Sequence, residues 1–292
     1  MSDFKFIEIP NGNQWVVSAP KRAKRPVSKK KTGCVFCPKE DPNDIEIEKY
    51  RIGGEKGDPH WKIRIIQNKF PFTPIHDVVI LTPEHVKHLS DVSVEQVRLG
   101  IEAYVNRYNT YKKDGSVTIF GNAGPGSGES IGHPHAQIAV TPSEVSLTVP
   151  RLEKELSYRG EHFVVGEFEI ICPPYSQWPD EVWVIPQERG KVFGEVTYKE
   201  IESLSYIWHR LIKIFEIRHG HKFPHNFYIY PFSDWYLRII PRVKIPGGFE
   251  LATGVFVNTQ DPHETMSFIK EHFAEAEEDH IKKHRARYRK GV

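Results

Sequence analysis

The chain has little cysteine, almost no methionine and no long apolar run. Three cysteines in 292 residues cannot make the framework of bridges that holds small secreted domains together. No stretch approaches the ~18 consecutive apolar residues of a membrane helix, so no membrane partner is expected. The opening residues MSDFKFIEIP lack the apolar core of a secretory signal, and a cytoplasmic location is expected. Charge of one sign is missing too. Lys and Arg number 40 against 38 Asp and Glu, and so small a net field directs the molecule neither to nucleic acid nor to an anionic lipid surface. What is present is the composition of a soluble globular protein, 39% hydrophobic and 12% aromatic, long enough for one large domain or two ordinary ones.

The basic charge is local. Lys21, Arg22, Lys24, Arg25, Lys29, Lys30 and Lys31 crowd one short segment, and residues 271–290 read as a charged helix and tail rich in Lys and Arg.

The sequence repeats itself. Val78-Val79-Ile80-Leu81-Thr82-Pro83 is echoed by Val182-Trp183-Val184-Ile185-Pro186. Each copy runs into a helical pattern, over 94–112 and 198–218, with apolar residues at i, i+3 and i+4 spacing. Ser93 and Thr197 stand where N-caps belong. Two strand-like runs follow each helix, at 117–121 and 135–140, then at 226–230 and 236–240. The spacing predicts an α+β fold with antiparallel sheet and one long helix per half, divided at 1–150 and 151–292. Aligning the copies sets His133-Pro134-His135-Ala136-Gln137 against Asp234-Trp235-Tyr236-Leu237-Arg238, so the second half is expected to be a degenerate site.

Chemistry concentrates in the first copy. On a strand, His133, His135 and Gln137 share one face. Before them lie five glycines in the twelve residues 121–132, a loop whose amides can approach a phosphate. Neutral imidazole is a competent nucleophile at physiological pH. Attack by His135 on the α-phosphate of a nucleotide sugar would give a nucleotidyl-histidine and release a sugar 1-phosphate, a ping-pong route. The Gln137 amide is placed to bond a phosphoryl oxygen. The plain alternative is a pair of polar residues on an exposed strand.

Cys34 and Cys37 form a C-x-x-C, half of a tetrahedral zinc site. His60, His76, His85, His88 and His133 are candidates for the other half. A redox pair and ordinary buried cysteines are the rival readings, although no βαβ pattern surrounds the motif. Cys172 reads as a core residue.

These motifs together resemble the galactose-1-phosphate uridylyltransferase branch of the histidine-triad superfamily. The likeness runs from Asn11-Gly12-Asn13-Gln14-Trp15 through Arg25-Pro26, the C-x-x-C, Asn68-Lys69-Phe70-Pro71, Thr82-Pro83-Glu84-His85 and Ser130-Ile131-Gly132-His133-Pro134-His135-Ala136-Gln137 to Gly248-Phe249-Glu250-Leu251. It implies tandem histidine-triad-like repeats, with His135 as nucleophile and zinc held by Cys34, Cys37, His85 and His133. It implies phosphate contacts from Arg22, Arg25, Asn122, Ser130 and Gln137, a nucleoside contact from Asn68, and sugar contacts from Lys244 and Glu250. The implied activity is transfer between UDP-glucose and galactose 1-phosphate, within galactose metabolism, by a homodimer. Two departures stand out. Asp234-Trp235-Tyr236 replaces a His-x-His found in many members, and the acidic residue of a second metal site would fall near Val149. One metal is therefore expected, and the sugar stays open. Phosphorylases of ADP-glucose or dinucleoside polyphosphates are the first alternative. A zinc-stabilised nucleotide-binding protein without turnover is the second.

Overall fold

The two repeats close into one sheet. In the computed structural model, which describes residues 4–10, 14–24, 33–37, 46–51, 61–86, 88–152 and 160–273, a hairpin of β1 (Lys5–Glu8) and β2 (Trp15–Ser18) stands apart from a ten-stranded sheet. The first half of that sheet holds β3 (Glu46–Arg51), β4 (Trp61–Gln67), β5 (Ile75–Ile80), β6 (Ser116–Ala123) and β7 (His135–Thr141). The second holds β8 (His162–Val165), β9 (Phe168–Ile171), β10 (Val182–Pro186), β11 (His225–Ile229) and β12 (Leu237–Pro241). The spatial order is β3-β4-β5-β7-β6-β11-β12-β10-β9-β8. Read outward from the centre, both halves give the same sequence of strands. β6 and β11 pair antiparallel with Asn122 opposite Asn226, so the duplication is a near-twofold inside one continuous sheet.

Both long helices form where the periodicity places them, as α1 (Val94–Tyr111) and α2 (Tyr198–His219). Ser93 Oγ accepts from the Gln96 amide at 3.1 Å. Thr197 does the same for Glu200 at 3.2 Å, and the Glu200 carboxylate returns to the Thr197 amide at 2.7 Å, a reciprocal cap. The helices lie against one sheet face. Val97, Ile101, Tyr104 and Tyr108 of α1 and Leu204, Trp208, Leu211 and Phe215 of α2 meet Ala136, Ile138, Leu237 and Ile239 in one core. Cys172 is part of that core. The short α3 (Gly248–Thr253) and the twelve-residue α4 (Pro262–Phe273) complete the α-helices among the described residues, and no described helix is long and apolar enough to cross a membrane. The expected tail beyond 273 lies outside the described residues.

The register revises the alignment of the two copies. Ile80 pairs with His135, and Trp183 pairs with Arg238. Ile80 and Trp183 each stand three residues before the repeated proline. Arg238, rather than Tyr236, therefore occupies the position equivalent to His135. The shift arises because residues 124–134, which join β6 to β7, are a longer link than 230–236, which join β11 to β12.

Arg238 fills its half of the sheet with a buried network. Nη2 donates to Glu181 Oε2 at 2.7 Å and to Gln177 Oε1 at 3.0 Å, and Nη1 donates to the Tyr228 hydroxyl at 2.8 Å. Trp183 Nε1 donates to the other Glu181 oxygen at 2.6 Å. Removing one partner strands the other charge in the interior. Arg238→Ala is expected to lower stability by ~3–5 kcal/mol in denaturant titration, while chemistry at His135 survives in the folded fraction. Unchanged stability would show that this network carries no weight.

Candidate active site and metal centre

The C-x-x-C turn meets β7 at its start. Cys34 Sγ lies 3.5 Å from His133 Nδ1, Cys37 Sγ lies 3.4 Å from His85 Nδ1, and Cys37 Sγ lies 4.0 Å from His133 Nδ1. The four ligand atoms all fall within 4.8 Å of one another. A tetrahedron with metal–sulfur bonds of about 2.3 Å and metal–nitrogen bonds of about 2.0 Å has edges of roughly 3.3–3.8 Å, so the set fits a four-coordinate metal. The chemistry of the donors agrees. His133 Nε2 donates to the Thr82 carbonyl at 2.8 Å, which leaves the Nδ1 lone pair facing the sulfurs. Burial, with the neighbouring His85, holds His133 below the usual histidine range and so neutral. Burial and the adjacent Cys34 push the Cys37 thiol up to about 11, a pair that ionises together only when a cation is present. Of the sequence candidates, His76 and His88 lie in other clusters, and His60 is outside the described residues.

The same carbonyl chain orients the nucleophile candidate. His135 is buried, and its Nδ1 donates to the His133 carbonyl at 2.8 Å. This tautomer puts the ring's lone pair on Nε2. Phe36, the residue between the two cysteines' outer bonds, packs its ring against His135 with centroids 5.2 Å apart. The cysteine turn and the His133 that faces it thus reach His135 twice, through the His133 backbone and through Phe36.

Gln137 follows on the same strand. Its Oε1 lies 3.0 Å from His76 Nε2 and accepts from Asn68 Nδ2 at 3.4 Å. Asn68 Oδ1 accepts from the Phe70 amide at 2.9 Å. Arg22 donates to the Phe70 carbonyl and stacks on Phe72, 4.7 Å from the ring centroid. Arg22, Asn68 and Gln137 are therefore one connected group, and His76, a zinc-ligand candidate in the sequence, belongs to it instead. Arg25 lies outside the described residues.

The glycine-rich loop departs from expectation at its start. Gly121 and Asn122 belong to β6, and Gly121 is required there because a Cβ would stand 2.1 Å from the Phe227 ring. Beyond it, Gly124 has φ +77°, and a Cβ there would stand 3.0 Å from Pro224 Cα. The Ser127 hydroxyl closes the turn on the Gly124 carbonyl at 2.7 Å. Asn226 Nδ2 donates to Asn122 Oδ1 at 2.6 Å and to the Ser127 carbonyl at 2.9 Å. The second half thus braces the loop of the first. Asn122 and His135 line one cleft with Glu129, His88 and His225. Burial pushes the Glu129 carboxyl up to about 7, against the pull of the Gly124 amide and His88. Ser130 sits in the same loop, partly buried.

Lys244 and Glu250 are placed together, at 2.8 Å, in the segment after β12. The Lys244 ammonium holds the Glu250 carboxyl down at about 2.

Comparison with known proteins supplies the context. A family model, "Domain of unknown function (DUF4931) N-terminal domain", matches residues 16–142. The ADP-glucose phosphorylase of Arabidopsis thaliana is 26% identical over 324 residues, covering 90% of this chain and 91% of that protein. The galactose-1-phosphate uridylyltransferase of Thermotoga maritima is 23% identical over 306 residues, covering 90% and 96%. The chain resembles the galactose-1-phosphate uridylyltransferase family. The crystal structure of the Arabidopsis thaliana ADP-glucose phosphorylase with bound ADP-glucose superposes at a TM-score of 0.69 and 26% identity, covering 92% of this chain and 99% of that one. The α+β fold expected from the repeats is accordingly a uridylyltransferase-like one.

Proposed function

We propose that the chain is a nucleotidyltransferase that carries a nucleoside monophosphate on His135 between a nucleotide sugar and a phosphate-bearing acceptor. The observation that carries this reading is the 2.8 Å bond from His135 Nδ1 to the His133 carbonyl, which turns the ring's lone pair onto Nε2 beside a glycine-rich loop. In the first half-reaction the Nε2–P bond forms and the bridging P–O bond breaks. The electron pair leaves with the sugar 1-phosphate. In the second, an acceptor phosphate oxygen attacks phosphorus and the imidazole departs. Gln137, Asn122 and Ser130 hold the phosphoryl oxygens, Arg22 and Arg25 balance their charge, Asn68 meets the nucleoside, and Lys244 with Glu250 meets the sugar. Cys34, Cys37, His85 and His133 hold zinc, which fixes the strand start and stays outside the reaction.

Two substrate pairs suit this site: UDP-glucose with a hexose 1-phosphate, and ADP-glucose with phosphate. The second is supported by the longer and higher-identity match to the ADP-glucose phosphorylase. Phosphorus NMR of the chain with each pair decides between them. One pair is expected to be consumed with formation of the exchanged nucleotide product, and His135→Ala consumes neither. No turnover of either pair by the unsubstituted chain would leave a zinc-stabilised nucleotide-binding protein.

We also propose a homodimer. The segment after β12 exposes Ile245, Leu251, Val255 and Phe249, Ile245 being 81% and Leu251 78% exposed. Apolar side chains clustered this way belong in an interface. Sedimentation equilibrium is expected to give a dimer, and Ile245→Asp with Leu251→Asp a monomer of unchanged secondary structure. A monomeric unsubstituted chain would refute the assembly.

A further inference from the structure

One buried atom at the edge of the active-site cleft has no partner. His88 is 1% exposed, and its Nε2 meets no hydrogen-bonding group among the described residues. A buried polar atom left without a partner is costly. The opposite edge of the ring is fully built. Nδ1 lies 3.0 Å from Ser90 Oγ and 3.3 Å from Glu216 Oε1. The Ser90 hydroxyl donates to that same Glu216 oxygen at 2.6 Å, and His221 Nδ1 lies 2.6 Å from it. His225 and Phe223 fix the ring faces, with centroids 5.0 and 5.3 Å away. With Nδ1 turned to Glu216, Nε2 lies on the far side, and His88 lines the cleft that also holds His135, Asn122 and Glu129.

The charges around the ring are consistent. Burial opposes ionisation of Glu216, yet bonds from His88 and Ser90 hold its carboxyl down at about 2. Burial keeps His225 neutral, down at about 3. His221, bridged to Asp91 at 3.3 Å, shares the Glu216 charge from outside. Glu129 is the acidic group across the cleft. Its carboxyl is pushed up by burial to about 7, so it readily takes up a proton when an anion settles beside it.

We propose that His88, braced by Glu216, is the proton-bearing contact for the phosphate that leaves, and later attacks, the nucleotidyl group on His135. This rests on the covalent reaction proposed above. As the His135 Nε2–P bond forms and the bridging P–O bond breaks, the electron pair goes to the departing phosphate. The His88 Nε2 proton follows it, leaving His88 neutral and the product a phosphate monoanion. The entering phosphate returns the proton to His88 as its oxygen attacks phosphorus. The ligand class is a phosphate monoester or inorganic phosphate, groups that titrate near neutrality.

The test compares leaving groups in single-turnover adduct formation. One donor is the nucleotide sugar the unsubstituted chain uses. The other is the p-nitrophenyl ester of the same nucleoside monophosphate, whose leaving group needs no proton. His88→Gln is expected to slow the first by ~10²-fold and to leave the second nearly unchanged. Return of the nucleotidyl group from the isolated adduct should slow likewise, with inorganic phosphate and glucose 1-phosphate assayed separately to identify which one meets His88. If His88→Gln fails to fold, Glu216→Gln is expected to give the same selective loss on a smaller scale. Equal slowing with both donors, or slowing with neither, overturns the assignment. Absence of any adduct on the unsubstituted chain with either donor refutes the covalent reading itself, and the role of His88 with it.

Discussion

His135→Ala is expected to leave a folded, metal-loaded chain whose turnover falls by ~10⁴-fold or more, because covalent transfer has no substitute for its nucleophile. The structure separates this effect from a folding defect. His135 gives its Nδ1 proton to the His133 carbonyl, whereas the Cys34 and Cys37 sulfurs are faced by the His133 ring. Alanine at 135 removes one bond and one ring from a buried position while all four metal-facing atoms stay. Metal content and circular dichroism should match the unsubstituted chain, and nucleotide sugar should still bind through Arg22, Asn68 and Asn122. His133→Ala makes the contrast, since it should lose metal and activity together. Appreciable turnover by His135→Ala would place the chemistry elsewhere.

Cys34→Ser is expected to lower metal content from about one zinc per chain to almost none and to reduce stability by about 3 kcal/mol. In a chain of this size that corresponds to a fall in Tm of roughly 5 °C. The site joins three segments distant in sequence, the C-x-x-C turn, the stretch after β5 and the start of β7. Without the metal, Cys34 and Cys37 no longer hold Phe36 against His135, and the carbonyl that orients His135 loses its anchor. Adduct formation should therefore slow as well, although no ligand touches substrate. A metal-free chain with unchanged Tm and unchanged rate would contradict the site.

The helices were legible because each obeys a single period, and the inner strands because similar apolar runs recur in both copies. Val97, Ile101, Tyr104 and Tyr108 repeat at helical spacing, and Ser93 and Thr197 announce the two starts. The outer strands were not. β4 is buried at five of its seven residues and shows no alternation, while β8 and β9 are only four residues each. The equivalence of the two copies was misjudged by two residues because loops of unequal length separate their last strands. Only the ladder register puts Arg238 where His135 stands.

In the site, residues adjacent in sequence were readable and those joined only in space were not. The C-x-x-C and the His133–Gln137 strand carry their meaning in their spacing. His85 lies 48 residues from its cysteine partner, a separation with no signal of its own, and was one of five candidate histidines until the family resemblance singled it out. Asn226, His88 and Glu216 act through pairings across 99 residues or more, as when Ser90 reaches Glu216 across 126. No local pattern marks such residues, and only the folded sheet brings them to the cleft.

The central claim is that His135 takes the nucleotidyl group. Intact-mass analysis after brief exposure to UDP-glucose or to ADP-glucose, without acceptor, followed by peptide mapping, tests it directly. A gain of one uridylyl or one adenylyl group is expected on the peptide containing His135, discharged on addition of the acceptor. A chain that turns over nucleotide sugar with no such adduct, or with the adduct on another residue, would contradict it.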